Sequence, residues 1–150
     1  VLRDDGPFGP GSLQQYVEYN PEYHYFNFTK EDKTLLRPVV LFDLLINNAD
    51  RKGSHVFFEE GTHKLWLIDH GLCFHEEDKL RTVLWDFAGG PIPDDLLSPL
   101  SSTKSWRGIL EPYLSPREIA AVIARAKALC ESRVFPLAPQ SRRAFPYPPI

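Results

Sequence analysis

The chain has 150 residues, 43% of them hydrophobic and 25% charged, with a formal net charge of -3. That length supports one domain with a real core, and the balance is ordinary for a soluble globular protein. The charge excludes the basic footprint of a nucleic-acid binder, no apolar run reaches the roughly 18 to 20 residues of a membrane helix, and no signal peptide is expected.

Two cysteines, Cys73 and Cys130, stand far apart without a CxxC. That argues against a disulfide or zinc framework and fits a reducing compartment, so a cytoplasmic location is expected. The chain begins at Val1 and contains no methionine. A fragment or processed product is expected, with any missing motif lying upstream.

Residues 1–12 form a Gly/Pro-rich loop. Gly6 to Ser12 imitates the spacing of a phosphate-binding loop, but Ser12 and Leu13 follow Gly11 where Lys and then Ser/Thr are needed. A hairpin turn is the better reading. Leu13 to Tyr19 reads as a strand, ended by Asn20-Pro21. Tyr23, Tyr25, Phe26 and Phe28 lack basic neighbours before Lys30, so they are expected to pack rather than to stack on bases.

Leu35 to Asn48 is predicted to be a central helix. Pro38 suits its first turn, and Leu41, Leu44 and Leu45 recur at helical spacing, with Phe42 and Ile46 widening the apolar face. The loop Ala49 to Ser54 follows, with Gly53 free to take a positive φ. His55 to Glu59 and Lys64 to Ile68 read as the strands of a hairpin, and Asp69-His70-Gly71 closes the second with a sharp turn. Beyond it, Glu76 to Leu84 reads as a short helix, and Asp94 as the cap of a helix from Asp95 to about Leu100. Ser115-Pro116-Arg117-Glu118 is a capping box that opens a helix running to about Ser132. Residues 133–150 are proline-rich and are expected to lie on the surface as an extended arm.

The chemistry concentrates in residues 43–71. Phosphoryl transfer requires a carboxylate near the attacking hydroxyl, ligands for the metal ions that bridge the phosphates, and a cation for the phosphates. Protein kinases supply an Asp, four residues, an Asn metal ligand, a short hairpin and then D-F-G. Here Asp50 is followed by four residues and His55, and Asp69-His70-Gly71 stands beyond the hairpin.

On these residues the chain resembles the phosphatidylinositol 3-/4-kinase superfamily. Asn48-Ala49-Asp50-Arg51 and Ile68-Asp69-His70-Gly71-Leu72-Cys73-Phe74 look like the N-T-D-R and I-D-N-G-L-A-F of the type II 4-kinases. More closely, Ile46 to His55 with Ile68 to Gly89 resembles uncharacterised bacterial proteins regarded as related to those kinases. That likeness runs from Val1 to about Phe135, and the motif-level likeness to the lipid kinases covers residues 43–74.

The resemblance implies an α+β, mainly α fold. It would be a protein-kinase-like C-terminal lobe with a short β-hairpin at the site and the N-terminal lobe absent from this chain. Residues 1–20 would be the hinge, 21–135 the lobe and 136–150 the arm. It makes Asp50 the catalytic residue, with Arg51 beside it holding the loop or offsetting charge. It places Lys52, His55 and Asp69 at the nucleotide, with Asp69 and His55 as metal ligands. ATP with Mg²⁺ or Mn²⁺ would be the cofactor, and a hydroxyl on a protein, lipid or small molecule the acceptor. Nothing in the sequence marks a lipid site.

Two other readings stand beside it. The lobe survives as a pseudokinase scaffold, favoured by His55 in the Asn position and by the missing lobe. Alternatively His55, Asp69, His70 and His75 bind a transition metal as in a hydrolase, without an HExxH to support it. Cys73, close to these residues, reads as a buried apolar thiol.

Overall fold

A computed structural model describes residues 2–150, apart from the side chain of Lys104. Val1 lies outside the described residues. The fold is α+β and mainly helical. Among the described residues the α-helices are α1 (Lys30–Thr34), α2 (Arg37–Ile46), α3 (Asp94–Leu97), α4 (Trp106–Leu110) and α5 (Pro116–Ser132). Small antiparallel sheets pair β1 (Leu2–Arg3) with β2 (Gly11–Ser12), and β3 (Val56–Phe58) with β4 (Leu65–Leu67).

Helix α2 is the central element. Its apolar face buries Val39, Val40, Leu41 and Ile46, while Asp43 is buried on the same helix. The second buried surface comes from α5, through Ile119, Val122, Ala126 and Leu129. Val56 and Phe58 of the hairpin, Leu84 and Phe135 pack into the same core. Removing such side chains from water is the main stabilising term of the fold.

Several expected elements appear with their chemistry intact. Pro38 sits in the first turn of α2. The α5 capping box forms: Glu118 N–H donates to Ser115 Oγ, and Ser115 N–H donates to Glu118 Oε2 at 2.8 Å. The hairpin β3–β4 pairs Phe57 with Trp66 across its middle. The Gly/Pro loop does turn between paired strands, Leu2 opposite Ser12.

Others differ. Leu13 to Tyr19 is not a strand; the segment is largely exposed, and only Tyr19 makes an isolated bridge, to Glu59. Strand propensity expresses packing against neighbours, and this segment forms no continuous ladder; near its end Glu60 N–H donates to Glu18 O. Asp94 does not cap α3 but opens its first turn after Pro93, and its carboxylate pairs with Arg133. The helix expected over Glu76 to Leu84 is absent, because the loop at the end of α2 captures that backbone. Helix α1 was not anticipated, although Thr29, whose Oγ1 accepts from Asp32 N–H at 3.1 Å, is an ordinary N-cap signal.

The proline-rich segment after Arg133 contains no helix, and it buries Phe135, Ala144 and Pro146 rather than lying wholly on the surface. Thr82 N–H donates to Ala144 O at 3.1 Å, and Gly53 N–H donates to Pro149 O at 2.8 Å. The arm therefore ends against the loop that follows α2.

Candidate functional site

Asn47 ends α2 in the left-handed conformation, with φ 57°. Asparagine tolerates this region better than most residues. Its amide then reaches across the loop. Nδ2 donates to His75 O and Glu77 O, and Oδ1 accepts from Lys79 N–H. Three backbone groups that a helix would have used are taken by one side chain.

The backbone of Asn48 and Arg51 binds the next stretch. Arg81 N–H donates to Asn48 O, Arg51 N–H to Arg81 O, and Val83 N–H to Arg51 O, each within 3.1 Å. The loop after α2 is thereby fixed along residues 81–83.

Beneath it lies a buried polar cluster. Arg51 is 0% exposed and Asp43 1%. Arg51 Nε and Nη2 donate to the two Asp43 oxygens at 2.8 and 2.9 Å. Asn48 Nδ2 donates to Asp43 Oδ1 at 3.0 Å. Arg51 Nη1 donates to the carbonyls of His55 at 3.2 Å and Ile68 at 2.9 Å. A planar guanidinium can serve a carboxylate and two carbonyls at once, which an ammonium cannot. One side chain thus ties together α2, the start of β3 and the end of β4.

Three side chains are presented from this frame. Asp50 follows the cluster and is about a quarter exposed at its side chain, with Lys52 Nζ 3.3 Å from Oδ2. Its N–H donates to Asn48 Oδ1 at 3.0 Å, which fixes the backbone that carries it. His55 is buried at the end of a 3₁₀ turn, Gly53–His55. Asp69 sits just past β4 in the left-handed region, φ 55°, with its side chain 56% exposed. His55 Nε2 and Asp69 Oδ2 are 3.5 Å apart. Burial holds the His55 imidazole below the usual histidine range; the Asp69 and Asp50 charges oppose that shift, Asp69 more strongly.

Lys52 N–H donates to His55 Nδ1 at 3.5 Å. With Nδ1 accepting, the proton of the neutral ring lies on Nε2, on the side of Asp69. Ligation of a cation by Nε2 requires that proton to move to Nδ1. Asp69, an exposed carboxylate at a fixed backbone position, fits a hard divalent cation directly.

Gly53 does not adopt a positive φ. Its lack of a side chain serves a close approach instead. A Cβ there would come within 2.8 Å of the Phe26 ring. His70 lies edge-on to Phe42, their ring centres 5.6 Å apart, and burial lowers its pKa. Burial raises the Cys73 thiol to about 11, so it stays protonated. Among the described residues, no group of three or more His, Cys, Asp or Glu side chains is placed to hold a metal ion.

The structure therefore brings His55 and Asp69 together, with Asp50 near enough for its charge to act on His55, and puts Arg51 out of reach of any ligand. Asp43 and Asn47 were missed as parts of the site. Asp43 is a charged residue in an otherwise apolar helix, a signal that a buried partner is needed.

No protein-family model matches the chain, and no solved structure gives a significant match. The chain is 41% identical to Protein Rv2133c of Mycobacterium tuberculosis (strain ATCC 25618 / H37Rv), over an alignment taking in 99% of this chain and 66% of that protein. It therefore spans just under two thirds of the length of this relative, whose name states no activity.

Proposed function

We propose that the protein is a kinase-like phosphotransferase, and that this chain is the lobe carrying its catalytic loop and metal-binding aspartate, related to the phosphatidylinositol 3-/4-kinase superfamily. The observation that carries the reading is the buried Asp43–Arg51 pair, which presents Asp50 on one loop and Asp69 beyond the hairpin on a single frame. Residue order supplies the rest: Asp50, four residues, His55, then Asp69 past a short hairpin.

In this reading Asp50 accepts a hydrogen bond from the acceptor hydroxyl and aligns its oxygen with the phosphate. Lys52, adjacent to Asp50, provides a positive charge for the transferred group. Asp69 holds Mg²⁺ or Mn²⁺, which neutralises phosphate charge when bound. His55, with its ring proton facing Asp69, positions that carboxylate. Arg51 is a positioning residue. The reading requires a nucleotide-covering loop and a strand lysine, and the described residues contain neither. The acceptor is a hydroxyl of a protein, lipid or small molecule, and the site is cytoplasmic.

The scaffold reading draws on the same geometry. A lysine 3.3 Å from Asp50 offsets the charge a catalytic carboxylate needs, and the ring proton of His55 faces the metal side. Transfer of labelled γ-phosphate by the intact protein separates the two. A kinase loses transfer by about a hundredfold or more in Asp50→Asn while retaining ATP affinity. Transfer undiminished in that variant contradicts the proposed role of Asp50, and ATP bound without turnover by the unaltered protein establishes the scaffold.

A further inference from the structure

A cavity of about 810 Å³ opens beside α5, and none of Asp50, His55 or Asp69 lines it. Its size falls within the range of small-molecule sites, about 300 to 1,000 Å³. Ala121, Ala124 and Ala128 recur along one face of α5 and leave the space, while Leu80, Trp85 and Phe135 provide apolar wall. The proline-rich arm contributes Leu137, so residues from distant parts of the chain enclose one volume.

Its lining carries two carboxylates, Glu76 and Asp78, and two guanidinium groups, Arg125 and Arg142. Asp78 is already paired with Arg142. Glu76 lies 4.0 Å from Arg117. Arg125 meets no carboxylate at ion-pair distance among the described residues. Its Nε donates to Leu45 O and its Nη1 to His75 O, leaving Nη2 buried without an acceptor. The one other buried side-chain polar atom without a partner among the described residues is Trp85 Nε1, on another wall residue of the same cavity. Both orphans are donors, and one belongs to a cation.

Buried donors are nearly always satisfied in folded proteins. A polypeptide laid in the cavity would bring N–H groups of its own in equal number to its carbonyls. A ligand that offers acceptors and negative charge on an apolar body answers the need without adding donors. We propose that the cavity binds an anionic amphiphile of the fatty-carboxylate class. Its chain fills the alanine-lined space, and its carboxylate takes the free donors of Arg125 and Trp85 after small side-chain rotations.

The test is titration of the intact protein with dodecanoate below its micellar concentration, followed by calorimetry and tryptophan fluorescence. 1-Dodecanol and dodecyltrimethylammonium are the comparison ligands. Because a charge-assisted hydrogen bond is at stake, dodecanoate is expected to bind with one-to-one stoichiometry and about tenfold or more tighter than either. Arg125→Gln is expected to bring the acid and the alcohol to equal affinity. Ala128→Trp, at an exposed position of α5, fills the cavity without removing a buried group and is expected to abolish binding. The proposal is overturned if dodecanoate does not bind, if acid and alcohol bind equally to the unaltered protein, or if binding survives Ala128→Trp in folded protein. A ligand-free dimer that Ala128→Trp dissociates overturns it too, since a second copy would then be the occupant.

Discussion

Arg51 and Asp43 face each other through two parallel hydrogen bonds inside the protein, neither exposing more than 1% of its surface. The pair is the junction between α2 and the hairpin, because Arg51 Nη1 also holds the carbonyls of His55 and Ile68. Truncating one partner strands the other as a buried charge. Arg51→Met and Asp43→Leu are each expected to cost about 3 to 5 kcal/mol in urea unfolding. The double change Asp43→Leu with Arg51→Met is expected to cost less than either single one, since it leaves no unpaired charge. Additive losses in that cycle would show that the two residues are not coupled.

The buried histidine makes stability depend on pH. His55 has its folded pKa lowered from 6.5, chiefly by burial. Above 6.5 both folded and unfolded states carry the ring neutral, and nothing is lost. As pH falls below 6.5 the unfolded state takes up a proton that the folded state resists, so stability drops until the folded ring protonates as well. Urea midpoints measured from pH 7.5 down to 5 should decline, and the decline should be shallower in His55→Gln. Asp69→Asn removes the carboxylate that opposes the shift. It should move the His55 titration, followed by the NMR shifts of the ring, further down; an upward move would contradict the contact.

The start of α5 is a local device with a local cost. Ser115→Ala removes the acceptor for Glu118 N–H and is expected to lower stability by about 1 kcal/mol, read as a shift of the urea midpoint. Ser115→Gly should cost only a few tenths of a kcal/mol, because glycine leaves the helix end open to water. A Ser115→Ala variant as stable as the parent would mean that the capping bond contributes nothing in water.

Local signals proved readable and conditional ones did not. The helix opened by Ser115-Pro116-Arg117-Glu118 needs only its own residues, and it spans Pro116–Ser132. The hairpin follows from β-formers on both sides of a turn. The stretch from Glu76 to Leu84 fails as a helix for a reason remote in sequence: Asn47, Asn48 and Arg51 take its backbone groups. The strand read at Leu13 to Tyr19 had the right composition but forms no continuous ladder, pairing near its end, where Tyr19 bridges Glu59 and Glu60 N–H donates to Glu18 O. At the site, the order of Asp50, His55 and Asp69 was plain, whereas the importance of Asp43 was hidden inside an apolar helix. Gly53 was legible as a special position, but its reason is the Phe26 ring and not its φ.

Metal-dependent ATP binding by the intact protein tests whether Asp69 holds a divalent cation at a nucleotide. Calorimetric titration with ATP, with Mg²⁺ and with Mn²⁺ and then with a chelator in place of metal, is expected to show binding only when a metal is present. Asp69→Asn, at a half-exposed position where folding should be little disturbed, is expected to weaken that binding by about tenfold or more. Binding of equal strength with chelator, or unchanged in Asp69→Asn, would contradict the account.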